Sequence, residues 1–175
     1  KTRNINKDQI NMLVDVLVNI HTATVNQSYP ENIPLRELNY QHIFQLPFAE
    51  DNGFPLNEVQ DGLEEIAKPY QTNKALKLKV SEIGKKYLSK GEILLHGDYY
   101  PGGWMQKSDH IFAIDPEFSF LGFAEFDLGV LAAHCIIITM DENILFQIEK
   151  QYSQKIDSKL LKEITGIEII RRLIG

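Results

Sequence analysis

One cysteine in 175 residues excludes an internal disulfide, and Cys135, set in AAHCIIIT, reads as a small core hydrophobe. A chain without disulfides fits a reducing compartment, so a cytoplasmic location is expected. Long apolar runs are also missing. The most apolar stretch, VLAAHCIIITM, contains a histidine and is too short to span a bilayer, and the opening KTRNINKDQ has no apolar h-region. No membrane partner is therefore expected. Positive charge is scarce as well: 18 Lys and Arg stand against 24 Asp and Glu, a formal charge of -6 with a pI near 5.4. That balance argues against a nucleic-acid partner or an anionic surface, while leaving room for a local phosphate pocket. Internal repeats and low-complexity tracts are absent too.

The residues that are present suit a folded domain. A hydrophobic fraction of 43% with 24% charged residues is enough for one proper core, so a single domain over residues 1–175 is expected. Ile10, Leu13, Val14, Leu17, Val18 and His21 recur at helical spacing and predict an amphipathic helix over about 7 to 25. Pro30 and Pro34 mark an irregular connection, and LNYQHIFQLPF with EDNGFP reads as loop with a short helical turn. LNEVQDGLEEIAK and NKALKLKVSEIGKKYLSK read as two helices separated by Pro69, the second stopped by Gly91. The period then changes. EILLH and HIFAID are strand-like, and WMQKSDHIF reads as a hairpin turning near Lys107, Ser108 and Asp109. Helices follow over about 124 to 139, 142 to 154 after a capping Asp141 or Asn143, and 158 to 174 after a capping Asp157. The expected fold class is mostly α (α+β), helical with a small β-hairpin.

Acids flank that hairpin. Asp98 precedes it in LLHGDYYPGGWM and Asp115 follows it in IDPEF, so antiparallel arms should bring both carboxylates to one end. Glu117 stands two residues beyond Asp115, and in an extended segment the two side chains would point the same way. Three acids at one spot repel unless a cation sits among them, and Mg²⁺ takes such oxygen ligands together with water and phosphate. The alternative is that these acids only cap turns beside glycine and proline.

The ordered strings LLHGDYYPGGWM, IDPEFSFLG and EFDLG resemble the catalytic segment of the aminoglycoside-phosphotransferase and choline-kinase superfamily, whose fold is protein-kinase-like. DPEF, FDLG and the closing IRRLIG look most like the 5-methylthioribose kinases. The resemblance implies an ATP-dependent kinase that transfers the γ-phosphoryl group to a hydroxyl of a sugar such as methylthioribose, an amino alcohol or an aminoglycoside. In it Asp98 is the catalytic aspartate, Asp115 and Glu117 bind Mg²⁺, and His96 and Asp127 support the catalytic loop. Arg171 and Arg172 resemble the paired arginines near the sugar site; the other reading is a solvated helix end. Tyr99, Tyr100 and Trp104 are expected either to wall the acceptor or to pack. A homodimer is also implied.

Two departures qualify the resemblance. Many members carry a metal-binding asparagine five residues after the catalytic aspartate, where this chain has Gly103. YYPGGW also differs from the family's usual sequence at that place, which leaves the acceptor open. The nucleotide-covering loop and strand lysine of an N-terminal lobe do not occur here. LVNIHTA resembles the helix that begins the C-terminal lobe, so the chain is expected to be a C-terminal lobe alone. The competing function is a pseudokinase or ligand-binding protein of the same fold; a third is a helical interaction domain without a site.

Overall fold

A computed structural model describes residues 5–23 and 29–175. The chain is predominantly helical with two small antiparallel strand pairs, and it divides into two compact units: Lys1–Asn32 with Lys90–Gly166, and Ile33–Ser89 with Ile167–Gly175.

In the first unit, α1 (Lys7–His21) opens on a capping box. The Asn6 side chain accepts from Gln9 N at 2.9 Å, and Gln9 Oε1 accepts from Asn6 N at 3.0 Å, so two orphan amides of the first turn are served. Ile10, Leu13, Val14 and Leu17 bury one face. The helix stops at His21 instead of running on toward 25, with Thr22 as its cap. Thr22, Thr24 and Val25 are β-branched and weak helix formers; residues 24 and 25 lie outside the described residues. The face of α1 meets α6 (Ala124–Thr139), buried almost throughout its first three turns, and α7 (Ile144–Gln151). α7 is shorter than the expected 142–154. Asn143 stands at its N-terminal boundary without a side-chain capping bond, and its backbone N and its Nδ2 both donate to Asp141 Oδ1, at 3.0 and 2.8 Å. α8 (Ser158–Ile174) begins where expected, with Asp157 Oδ1 accepting from Lys159 N and Leu160 N.

The strands form two separate pairs. β2 (Trp104–Lys107) and β3 (His110–Ala113) make the expected hairpin, turning at Ser108 and Asp109, with Ser108 at φ +53°. β1 (Ile93–Leu95) pairs with β4 (Phe120–Gly122) in the register Leu95↔Phe120, and neither strand joins the hairpin. Gly91 serves this pairing and does not stop a helix: a Cβ there would lie 2.0 Å from Gly122 O.

The second unit corrects the expected loop. α2 (Ile33–Tyr40) continues through a π-turn at Gln41–Gln45 into a 3₁₀ turn at Leu46–Phe48. Burial of Ile43, Phe44 and Phe48 holds this irregular helix, with the Phe44 ring 5.4 Å from Tyr87. α3 (Leu56–Val59) and α4 (Leu63–Thr72) follow. Pro69 lies inside α4 and does not end it; the break falls at Asn73, whose side chain accepts from Leu76 N at 3.0 Å to cap α5 (Lys74–Leu88). Pro69 and Glu65 are both exposed, so water can serve the carbonyl that the proline leaves without a donor. At the other end of α5 the buried Arg36 donates to Tyr87 O and Ser89 O at 2.8 and 2.9 Å, satisfying helix-end carbonyls.

Candidate active site

Leu95 ends β1 in the core, and the chain must then turn sharply into His96–Gly97–Asp98. Asp127, in the first turn of α6 and 0% exposed, holds that turn: His96 N donates to Oδ2 at 2.7 Å and Gly97 N to Oδ1 at 3.0 Å. Charge-assisted bonds of this kind contribute about 1.5–3 kcal/mol each. His21 completes the set, its Nε2 3.2 Å from Asp127 Oδ2 and its Nδ1 2.9 Å from the Tyr152 hydroxyl. Burial, and then the Glu125 and Asp127 carboxylates, push the Tyr152 hydroxyl up to about 12. Gly97 has φ +84°, and a Cβ there would lie 2.1 Å from Phe118 O, so both the backbone angle and the close approach require glycine.

The same turn is bound to the segment after the hairpin. His96 Nε2 meets Ile114 O at 2.8 Å; because a carbonyl only accepts, Nε2 carries the hydrogen and Nδ1 faces Asp98 N at 3.4 Å. Ile114 N donates to Gly103 O at 2.9 Å. Gly103 is packed between the two segments, a Cβ there lying 3.3 Å from both Asp98 O and His96 Cε1. The hydrogen bonds therefore join the stretch carrying Asp98 to the stretch leading into Asp115.

Asp115 corrects the extended reading of DPE. It adopts the left-handed conformation (φ 58°, ψ 56°), and Pro116–Phe118 form a 3₁₀ turn, so the two-residue alternation of a strand does not apply. Asp115 and Glu117 are exposed, and neither carboxylate has a hydrogen-bond partner among the described residues. Asn32 pins the turn from outside, donating to Glu117 O at 2.6 Å and Ser119 O at 3.2 Å. Among the described residues no three His, Cys, Asp or Glu side chains are grouped to hold a metal ion, so the expected triad with Asp98 does not form. The donor chemistry of Asp115 and Glu117 still suits Mg²⁺, which takes one or two carboxylates and completes its shell with water and phosphate. Beside these segments lies a cavity of about 430 Å³ whose wall includes Tyr29, His96, Phe112 and Pro116.

The expected substrate residues divide. Tyr99 is fully buried, with its hydroxyl donating to Leu13 O at 3.1 Å. Burial, then Asp127 and Cys135, raise its pKa. It belongs to the core and walls no cleft, a correction explained by its place in the cluster beneath the loop. Trp104 packs on it at 5.5 Å, and Tyr100 tilts against His134 at 5.9 Å. Arg171 and Arg172, in the second unit, both bond the buried Glu168 at 2.8 Å; Arg171 is half-buried, while Arg172 remains exposed at the helix end. His21, Tyr152 and Asn32 escaped sequence reasoning. His21 stood on the apolar stripe of α1, where a histidine amid Leu and Val was the available signal.

No family model matches the chain. Curated relatives do. The chain is 27% identical over 133 residues to a methylthioribose kinase of Bacillus mycoides and 29% identical over 133 residues to one of Bacillus cereus. Each match covers 73% of this chain and 33% of the relative, so the chain spans about a third of the length of the curated relatives it matches. Together with the helical fold, these likenesses support a kinase-like relationship for the chain.

Proposed function

We propose that the chain is the C-terminal lobe of an ATP-dependent small-molecule kinase that transfers the γ-phosphoryl group of ATP to a substrate hydroxyl. The observation that carries this reading is the buried Asp127 carboxylate, which grips the amides of His96 and Gly97 and so fixes the backbone presenting Asp98. Phosphoryl transfer depends mainly on positioning and charge neutralisation, and a rigid loop bearing one carboxylate beside a turn bearing two fits that need. Asp98 orients the acceptor hydroxyl and takes its proton. Asp115 and Glu117 would hold Mg²⁺, which neutralises phosphate charge when bound. Tyr100 and Trp104 remain candidate acceptor contacts, with Arg171 and Arg172 as candidates for the sugar site.

The acceptor class is a sugar such as methylthioribose, with amino alcohols and aminoglycosides as competitors. The nucleotide-covering lobe belongs to the full-length protein, so this chain alone is expected to turn over negligibly. Assembly as a homodimer and residence in the cytoplasm complete the proposal; among the described residues no helix is long and apolar enough to cross a membrane. The test is ADP release by the full-length protein with Mg²⁺ and ATP against a panel of sugars and amino alcohols including methylthioribose. Acceptor-dependent release supports the reading. Tight Mg·ATP binding with no release for any acceptor would favour a pseudokinase, and loss of binding as well would defeat both.

A further inference from the structure

A second concave site lies wholly within the second unit. Between the loop at residues 50–55 and α4 is a cavity of about 430 Å³ whose wall includes Asp51, Phe54, Glu64, Lys68 and Gln71, a volume within the range of small-ligand sites. Both signs of charge face it. Asp51, Glu64 and Lys68 are exposed, and their side chains have no ion-pair or hydrogen-bond partner among the described residues. Glu50, also on the wall, is already engaged with Lys77 at 3.6 Å.

Gln71 adds a neutral hydrogen-bonding group to the wall. It is only 9% exposed. Lys77 donates to its main-chain carbonyl at 3.0 Å, yet its carboxamide has no partner among the described residues. The carboxamide oxygen and nitrogen are not among the enclosed, unpartnered side-chain atoms, so the group stands on the cavity wall with its acceptor and its donors open to a ligand. The apolar part of the wall is Phe54, 41% exposed. Its loop is fixed by Asn52, which accepts from Phe54 N at 2.9 Å and donates to Leu46 O at 3.0 Å.

The geometry points to a binding site for a free α-amino acid with an apolar side chain. Its ammonium meets Asp51 and Glu64, its carboxylate meets Lys68 and the Gln71 amide, and its side chain lies on Phe54. A simple cation would be opposed by Lys68, and a simple anion by the two acids. A ligand bearing both charges satisfies the whole wall. This inference stands apart from the kinase reading and does not need it.

Calorimetry on the full protein tests it with L-phenylalanine, its decarboxylated analogue phenethylamine and its deaminated analogue phenylpropanoate. L-Phenylalanine binds, and each analogue binds at least about tenfold more weakly, a difference calorimetry resolves readily. Because Gln71 is largely buried, the variant used is the exposed Lys68→Gln, which weakens L-phenylalanine and strengthens phenethylamine by relieving the like-charge opposition. Phenethylamine binding as tightly as L-phenylalanine overturns the proposal in favour of a plain cation site, and absence of heat for all three at millimolar concentration overturns it outright.

Discussion

The two acidic segments of the first unit are built in opposite ways. The one carrying Asp98 is held by buried groups at almost every position: Asp127 on two amides, the His96 ring on Ile114 O, and Gly97 against Phe118 O. In the one carrying Asp115 and Glu117 the main-chain carbonyls are held, by the Asn32 amide and the Ser119 hydroxyl, while its two carboxylates stand exposed in a strained turn. The contrast teaches where each kind of order comes from. A group that must orient an acceptor needs geometry set in advance by the protein, whereas carboxylates that hold a cation can be left for the cation and its phosphate oxygens to organise.

The largest expected effect lies on the anchored side. In the full-length protein, Asp98→Asn lowers acceptor-dependent turnover by about 10²–10⁴, the usual contribution of a positioned general base, while nucleotide affinity and circular dichroism stay as in the wild type. Preserved turnover would remove Asp98 from the proposed role and level the contrast between the segments.

Gly97→Ala tests the anchor as stability. A residue with a Cβ at φ +84° is strained by about 1–3 kcal/mol, and here the added carbon also meets the Phe118 carbonyl. A loss of at least about 3 kcal/mol in denaturant unfolding is expected. A loss below 1 kcal/mol would mean that the turn relaxes easily and that its rigidity is overstated.

Much of this arrangement was legible because it is local. The capping Asp157, the turn at Ser108 and Asp109, and the apolar period of α1 all act within a few residues, where side-chain chemistry and backbone geometry are directly coupled. The order of His96, Asp98, Asp115 and Asp127 was legible for another reason: their spacing is a pattern even when their contacts are distant. What stayed hidden depends on partners far along the chain. β4 is three residues long and is defined by its pairing with β1, His21 is explained by Asp127 and Tyr152, and Asn32 acts on a turn 85 positions later. The π-turn after α2 and the proline inside α4 failed for a related reason, since burial of Phe44 and solvent access at Pro69 override local propensity.

On the exposed segment the sign reverses. Asp115→Gly removes a side chain from a left-handed position at which glycine is unstrained, so unfolding stability is unchanged or higher by up to about 1 kcal/mol. The same substitution removes one of two candidate Mg²⁺ ligands, and the Mg²⁺ concentration needed for half-maximal nucleotide binding rises. A variant that loses stability would show that Asp115 is structural like Asp127, and the contrast would fail.

The smallest effect is at the far end of the anchor. Tyr152 is held to His21, and burial, with the Glu125 and Asp127 carboxylates, pushes its hydroxyl from the ordinary 10.0 up to about 12. Between those values the unfolded chain gives up the phenolic proton and the folded chain keeps it, so the unfolded state binds fewer protons and stability falls as pH rises. The contribution is complete below pH 10 and is lost as pH climbs through about 12. Tyr152→Phe should therefore cost about 0.5–1.5 kcal/mol at neutral pH, the worth of one hydrogen bond, and should flatten the alkaline decline relative to wild type. Tyrosinate absorbance during alkaline titration measures the same event directly: one tyrosine fewer should ionise late in the variant. An unchanged titration would place the late-ionising hydroxyl elsewhere and detach Tyr152 from the network that fixes the Asp98 turn.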